Sequence, residues 1–125
     1  LSVDQLRARS WWQGPEAYVV VDDYDLVVTP TGDPLAQLLP LLPQARDIGL
    51  HLLITHRAGG AGRALYQPLL LRLKELGSPG LLLSGDPLEG VLLGGQRATP
   101  QPPGRGVLVR RHDRPALLQV ALSEP

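Results

Sequence analysis

The chain has 125 residues, enough for one domain or a piece of one, and 43% of them are hydrophobic, which supports a packed core and argues against disorder. Twelve basic and 12 acidic residues cancel, so the composition carries no domain-wide electrostatic footprint for nucleic acid. The lack of cysteine excludes disulfides and thiolate metal sites, and no apolar run approaches the roughly 18 residues of a membrane span.

In chain order, Val3 to Trp12 predicts a short helix, with Ser2 as N-cap and Gly14-Pro15 as the stop. Ala17-Tyr18-Val19-Val20-Val21 is a continuous apolar run ending in Asp22-Asp23, the pattern of a strand buried on both faces of a parallel sheet. A loop with Pro30, Gly32 and Pro34 follows. Leucines 35, 38, 39 and 42 then recur at helical spacing, and Pro40 and Pro43 should make that helix irregular.

Gly49 resets the chain before a second buried strand, Leu50 to Thr55. The glycine-rich stretch Ala58 to Gly62 leads into a predicted helix from about Arg63 to Leu76, closed by Gly77 and Pro79. Leu81-Leu82-Leu83 reads as a third strand. A short helix or turn from Leu88 to Val91 and a Pro/Gly-rich passage from Gly94 to Gly106 come next. Val107 to Arg111 and Ala116 to Leu122 suit a closing hairpin turning at His112 to Pro115, with Arg105, Arg110, Arg111 and Arg114 as a charged edge. Strand and helix alternate, which predicts an α/β fold with a mostly parallel sheet and crossover helices. The sheet is thin for so leucine-rich a chain, so neighbouring strands are expected in further sequence. A first residue Leu1 in place of Met agrees with an excised piece. Eleven of the 12 basic residues are Arg, a bias that suits a GC-rich genome.

The strongest chemical signal is Tyr18 to Asp25, with acids at 22, 23 and 25. Carboxylates just beyond the C-terminal end of a parallel strand stand where open α/β sheets bind ligands. In P-loop NTPases the first such acid holds Mg²⁺, and a second commonly orients the attacking water. A polar turn at a strand end explains the same residues without chemistry. Thr55-His56-Arg57 ends the next strand, where a polar side chain can contact a γ-phosphate or the attacking water; a solvated strand end is the alternative. Arg57 and Arg63 are candidate arginine fingers or simply solvated cations. Tyr24 suits packing against a neighbouring helix, or an adenine. Trp11 and Trp12 suit an anchor for the preceding helix, or a peptide groove. His51, His56 and His112 lack the spacing of a metal site.

Several segments together carry a family resemblance: Ser10-Trp11-Trp12-Gln13-Gly14-Pro15, Val21-Asp22-Asp23-Tyr24-Asp25-Leu26 and Ala45 to Leu52. Gly59 to Leu65, Ser84-Gly85-Asp86, Glu89 to Gly94 and Pro103 to Gly106 continue it. The sequence resembles the FtsK/SpoIIIE class of P-loop ATPases, and more narrowly the C-terminal ATPase domain of EccC, the motor subunit of type VII secretion. The resemblance implies the C-terminal part of a RecA-like, three-layer fold, with residues 1–125 covering an ATPase domain from Walker B to its C-terminus. It implies ATP and Mg²⁺ as cofactors and a cytoplasmic place in a membrane-anchored bacterial motor. The implied partners are other ATPase domains of the same chain, the membrane secretion complex, and helical WXG-type substrates or their export signal, with no nucleic acid.

By the same resemblance Asp22 takes the Walker-B magnesium position, and Thr55 and Arg57 become cofactor contacts. Asp23 is the catalytic acid, standing where the most active members carry Glu, and Arg63 is a possible arginine finger. No G-x-x-x-x-G-K-[ST] occurs in the chain, and Gly59-Gly60-Ala61-Gly62 follows the second strand and lacks the Lys. These residues alone are therefore expected to bind ATP poorly and to hydrolyse nothing measurable. A non-hydrolysing module that binds a partner helix is the alternative, and a DNA-translocase piece is a third reading that the neutral charge disfavours.

Overall fold

A computed structural model describes residues 2–8, 10 and 13–124, apart from the side chains at positions 6 and 7. The chain forms two compact units, one reaching His56 and the other starting at Arg57.

In the first unit, helix α1 spans Val3–Ala8. Its start is a capping box: the Gln5 N–H donates to Ser2 Oγ at 3.1 Å and the Ser2 N–H donates to Gln5 Oε1 at 2.8 Å. The expected extension of this helix through Trp11 and Trp12, and the roles suggested for that pair, lie outside the described residues. Strand β1, Ala17–Val21, pairs in parallel with β2, Leu50–Ile54, in a register that sets Ala17 beside Leu50 and Val21 beside Ile54.

Between them run the one-turn helix α2, Tyr24–Val27, and a 3₁₀ segment, Pro34–Gln44. Pro40 and Pro43 lie inside that segment; each removes an N–H from an α ladder, so the leucine spacing yields the tighter, less regular form. Asp33 caps its start by accepting the Leu35 N–H on Oδ1 at 2.8 Å. Tyr24 is completely buried, and its hydroxyl donates to Asp33 Oδ2.

The expected two-sided burial of β1 does not hold: Tyr18 is 65% and Val20 70% exposed, while Val19 and Val21 between them are half-buried. The register sets Tyr18 beside His51 and Val20 beside Leu53, so these four share the open face. The Tyr18 and His51 rings stack there at 4.5 Å, and His51 Nε2 meets Glu16 Oε2 at 2.8 Å. An apolar run reports that a strand suits burial; the number of layers supplied to cover it is a property of the rest of the fold.

In the second unit the predicted single helix is two, α3 at Ala61–Ala64 and α4 at Pro68–Glu75. Pro68 explains the break. It holds Gln67 in the extended region (φ −65°, ψ 143°) and starts a new helix where its missing N–H is harmless. Gly77 ends α4 as expected, at φ 73°, with the Ser78 N–H donating to Leu73 O at 3.1 Å. Leu69 and Ala64 are buried.

Strand β3, Gly80–Leu82, does not extend a parallel sheet. It pairs antiparallel with β6, Arg105–Val109, which in turn pairs with β7, Ala116–Gln119, in the order β3-β6-β7. Three leucines carry no information about strand direction, so only the neighbouring edge could decide it. The Pro/Gly-rich passage also hides a small hairpin, β4 at Val91–Leu93 and β5 at Gln96–Arg97. Gly94 and Gly95 turn it with φ of 53° and 76°, a conformation that glycine adopts without strain. The closing hairpin β6/β7 matches expectation. Of its arginines, Arg110 pairs with Asp113 at 3.3 Å and Arg111 donates to Leu76 O at 3.3 Å at the end of α4.

Candidate functional site

The candidate site lies at the C-terminal ends of β1 and β2, within the first unit. Parallel pairing brings both strand ends to the same edge, so Asp22 and Asp23 after β1 meet Thr55 after β2. The Thr55 hydroxyl donates to Asp22 Oδ1 at 2.5 Å and accepts the Asp23 N–H at 2.8 Å. Backbone bonds reinforce the junction: the Thr55 N–H donates to Val21 O at 3.0 Å, and the Tyr24 N–H donates to Thr55 O at 2.9 Å. All three side chains are exposed at this edge.

Asp23 adopts a left-handed backbone, φ 53° and ψ 59°, a region where Asp and Asn are enriched among non-glycine residues. It precedes α2 without capping it, so its carboxylate is not taken up by the helix start. Asp22 Oδ2 carries no hydrogen bond among the described residues. A carboxylate with one oxygen anchored by a hydroxyl and the other open to solvent fits a divalent cation held directly or through water. Among the described residues no group of three or more His, Asp or Glu forms a ready-made metal cage.

Tyr24 secures the same edge through its N–H on Thr55 O. Burial raises its phenol pKa well above the usual value, and the hydrogen bond to Asp33 and that carboxylate's charge push in the same direction. Its role is packing.

The other sequence-predicted residues stand in the second unit. Arg57 is its first residue and is exposed; Arg63 lies in α3, beside Glu89. Sequence reasoning gave Glu89 no role. Its carboxylate accepts the Gly60 N–H at 2.9 Å and the Gly62 N–H at 3.2 Å, so the amides of the glycine tract are occupied from within the chain. These two bonds hold the Glu89 carboxyl below the usual carboxylate range; partial desolvation opposes them and the Arg63 charge assists. No pattern in the sequence links a lone acid to a glycine tract 27 residues away.

A depressed carboxyl stabilises the folded form above its unfolded pKa and loses that contribution as pH falls through the lower folded value. The Glu89 clasp is therefore expected to persist at neutral pH and to open below the ordinary carboxyl value of 4.5. Gly60 and Gly62 amide shifts followed by NMR from neutral to acid pH check this, and Glu89→Gln should abolish the transition. Gly62 is tightly placed as well, since a Cβ there would lie 2.2 Å from Glu89 O. Gly62→Ala is expected to destabilise the second unit by about 1–3 kcal/mol in urea unfolding, because backbone must move to admit the methyl.

No protein-family model matches the chain. Individual proteins do. The ESX-4 secretion system protein EccC4 of Mycobacterium tuberculosis is 57% identical over 125 residues, all of this chain and 10% of that protein. The chain is homologous to a segment of EccC. Two solved structures agree. The cytoplasmic domain of the Thermomonospora curvata type VII secretion ATPase EccC is 53% identical, with a TM-score of 0.90 over 100% of this chain and 14% of that one. The T. curvata EccC ATPases 2 and 3 in complex with a signal sequence peptide give the same identity and TM-score, covering 22% of that chain. The chain thus spans about a tenth of the length of the curated EccC relative above. The α/β class read from the sequence holds, and the fold is that of the corresponding EccC segment.

Proposed function

We propose that residues 1–125 are the part of an EccC-type ATPase domain that runs from Walker B to the C-terminus, and that Asp22 holds Mg²⁺ for a bound ATP. The observation that carries this reading is the junction at the strand ends, where the Thr55 hydroxyl ties down Oδ1 of the exposed Asp22 carboxylate. Mg²⁺ supplies charge neutralisation to the β- and γ-phosphates when bound. Asp23, with its carboxylate clear of the helix cap, orients water toward the phosphate. Arg57 contributes a phosphate contact, and Arg63 acts at an interface. The gripping lysine and amides of a P-loop come from sequence outside these residues, so the segment completes a site and does not constitute one.

The parent protein, on this reading, is a membrane-anchored secretion motor with this segment on its cytoplasmic side. Its partners are its own other ATPase domains, the membrane secretion complex and the export signal of helical substrates. The signal sequence peptide held by T. curvata EccC ATPases 2 and 3 supports the last of these. Among the described residues no helix is long and apolar enough to cross a membrane.

The deciding experiment is calorimetric titration of the full-length protein with ATP, in Mg²⁺ and in chelator, for the native chain and Asp22→Ala. A Mg²⁺-dependent binding step present in the native chain and missing from Asp22→Ala is expected, over whatever the other ATPase domains bind in both; identical isotherms would remove the metal role. Titration with a helical export-signal peptide tests the partner, and a failure to saturate would count against it.

A further inference from the structure

Resting on the metal role of Asp22, we propose that Thr55 is a positioning residue for that carboxylate and makes no contact with nucleotide phosphate. The Thr55 hydroxyl has too few hydrogens for both partners. A hydroxyl has one hydrogen to donate and two lone pairs to accept with. The Thr55 hydrogen goes to Asp22 Oδ1 at 2.5 Å, and a lone pair takes the Asp23 N–H at 2.8 Å. A phosphate oxygen facing a threonine needs that same hydrogen, so Thr55 could meet one only by releasing Asp22.

The backbone fixes where that side chain stands. Thr55 is clamped on both sides, its N–H to Val21 O at 3.0 Å and its carbonyl to the Tyr24 N–H at 2.9 Å. Moving the hydroxyl away from Asp22 therefore means turning the side chain to another χ1 rotamer, which gives up the Asp23 N–H as well. The bond also selects which oxygen faces the cation: Oδ1 is held and Oδ2 is open. Through the Asp23 amide, the same side chain helps fix the left-handed residue that carries the second acid. One threonine thus orients the Asp22 carboxylate and holds the backbone of Asp23, as partners outside the ligand set do in metal sites generally.

The test uses the full-length protein with Mn²⁺ as the probe, free Mn²⁺ being read by electron paramagnetic resonance in the presence of ATP or ADP. Thr55→Val should weaken Mn²⁺ binding by about 10–100-fold, equally with either nucleotide, and Thr55→Ser should restore it. Thr55→Ala, which removes the hydroxyl without replacing its bulk, is read in parallel, with circular dichroism confirming the fold of each variant. A Val or Ala variant that loses ATP affinity but keeps ADP and Mn²⁺ affinity would make Thr55 a γ-phosphate contact and overturn the proposal. Failure of Thr55→Ser to restore Mn²⁺ binding would also overturn it, in favour of a packing role for the methyl. If Asp22→Ala leaves Mn²⁺ binding unchanged, the metal reading itself falls; if only the Thr55 variants leave it unchanged, the positioning role alone falls.

Discussion

Replacing Tyr24 with alanine is expected to lower the stability of the first unit by about 3–5 kcal/mol, the range for deleting a fully buried aromatic ring. Tyr24 is 0% exposed, and its hydroxyl serves Asp33. Asp33 in turn caps the Pro34–Gln44 segment through the Leu35 N–H. Truncation therefore leaves a cavity and unties the cap of the neighbouring segment. Tyr24→Phe separates the two effects: it keeps the ring and removes only a hydrogen bond to a charged group, at about 1.5–3 kcal/mol. Urea unfolding followed by circular dichroism measures both.

The pH dependence gives an independent check. The raised Tyr24 pKa means the neutral phenol is favoured by the fold, so its contribution is fully present below the ordinary value of 10.0 and lost as pH rises through the higher folded value. Tyr24→Phe should lack that part of the alkaline loss. Because the Tyr24 N–H also holds Thr55 O, loosening the ring should disturb the acids beside it, and the alanine variant is expected to bind Mg-ATP more weakly than the Phe variant.

The second large effect is functional. Asp22→Ala in the full-length protein should remove the Mg²⁺-dependent part of ATP affinity at this one site, a loss of about a hundredfold in Kd, near 3 kcal/mol. Two changes coincide in that variant: the ligand oxygen is lost and the Thr55 hydroxyl is left without its acceptor. Asp22→Asn distinguishes them, because the amide oxygen can still accept from Thr55 while the charge is gone. If charge on the cation dominates, Asn should resemble Ala in titrations with and without Mg²⁺. Asp23→Ala belongs to another class. A group that orients water acts in the transition state, so its loss should lower kcat with little change in nucleotide affinity.

Much of the fold was legible because the signals were local. Ser2 caps α1 as its position suggests, and the structure adds Gln5 as the other half of the box. Gly77 stops α4 through its own backbone freedom. The β6/β7 hairpin closes across a turn that short-range pattern could find. Where a local signal was overlooked, as with Pro68 dividing one predicted helix into two, the information was still in the chain. The two glycines that turn the β4/β5 hairpin are a similar case.

The acids after β1 were readable for the same reason: a run of apolar residues ending in Asp22 and Asp23 announces a strand end bearing carboxylates. What those carboxylates touch was not readable. Thr55 reaches Asp22 across 33 residues, and Glu89 reaches Gly62 across 27. Each meeting depends on how elements distant in the chain come together, the first through the parallel register of β1 and β2, the second through the path that returns residue 89 to the start of α3. The direction of β3 and the open face of β1 belong with them, since pairing and cover come from segments a strand does not encode. Residue types and local spacing established the elements and the acids. Long-range packing decided which oxygen Asp22 leaves open and which amides Glu89 closes, because hydrogen bonds form between neighbours in space.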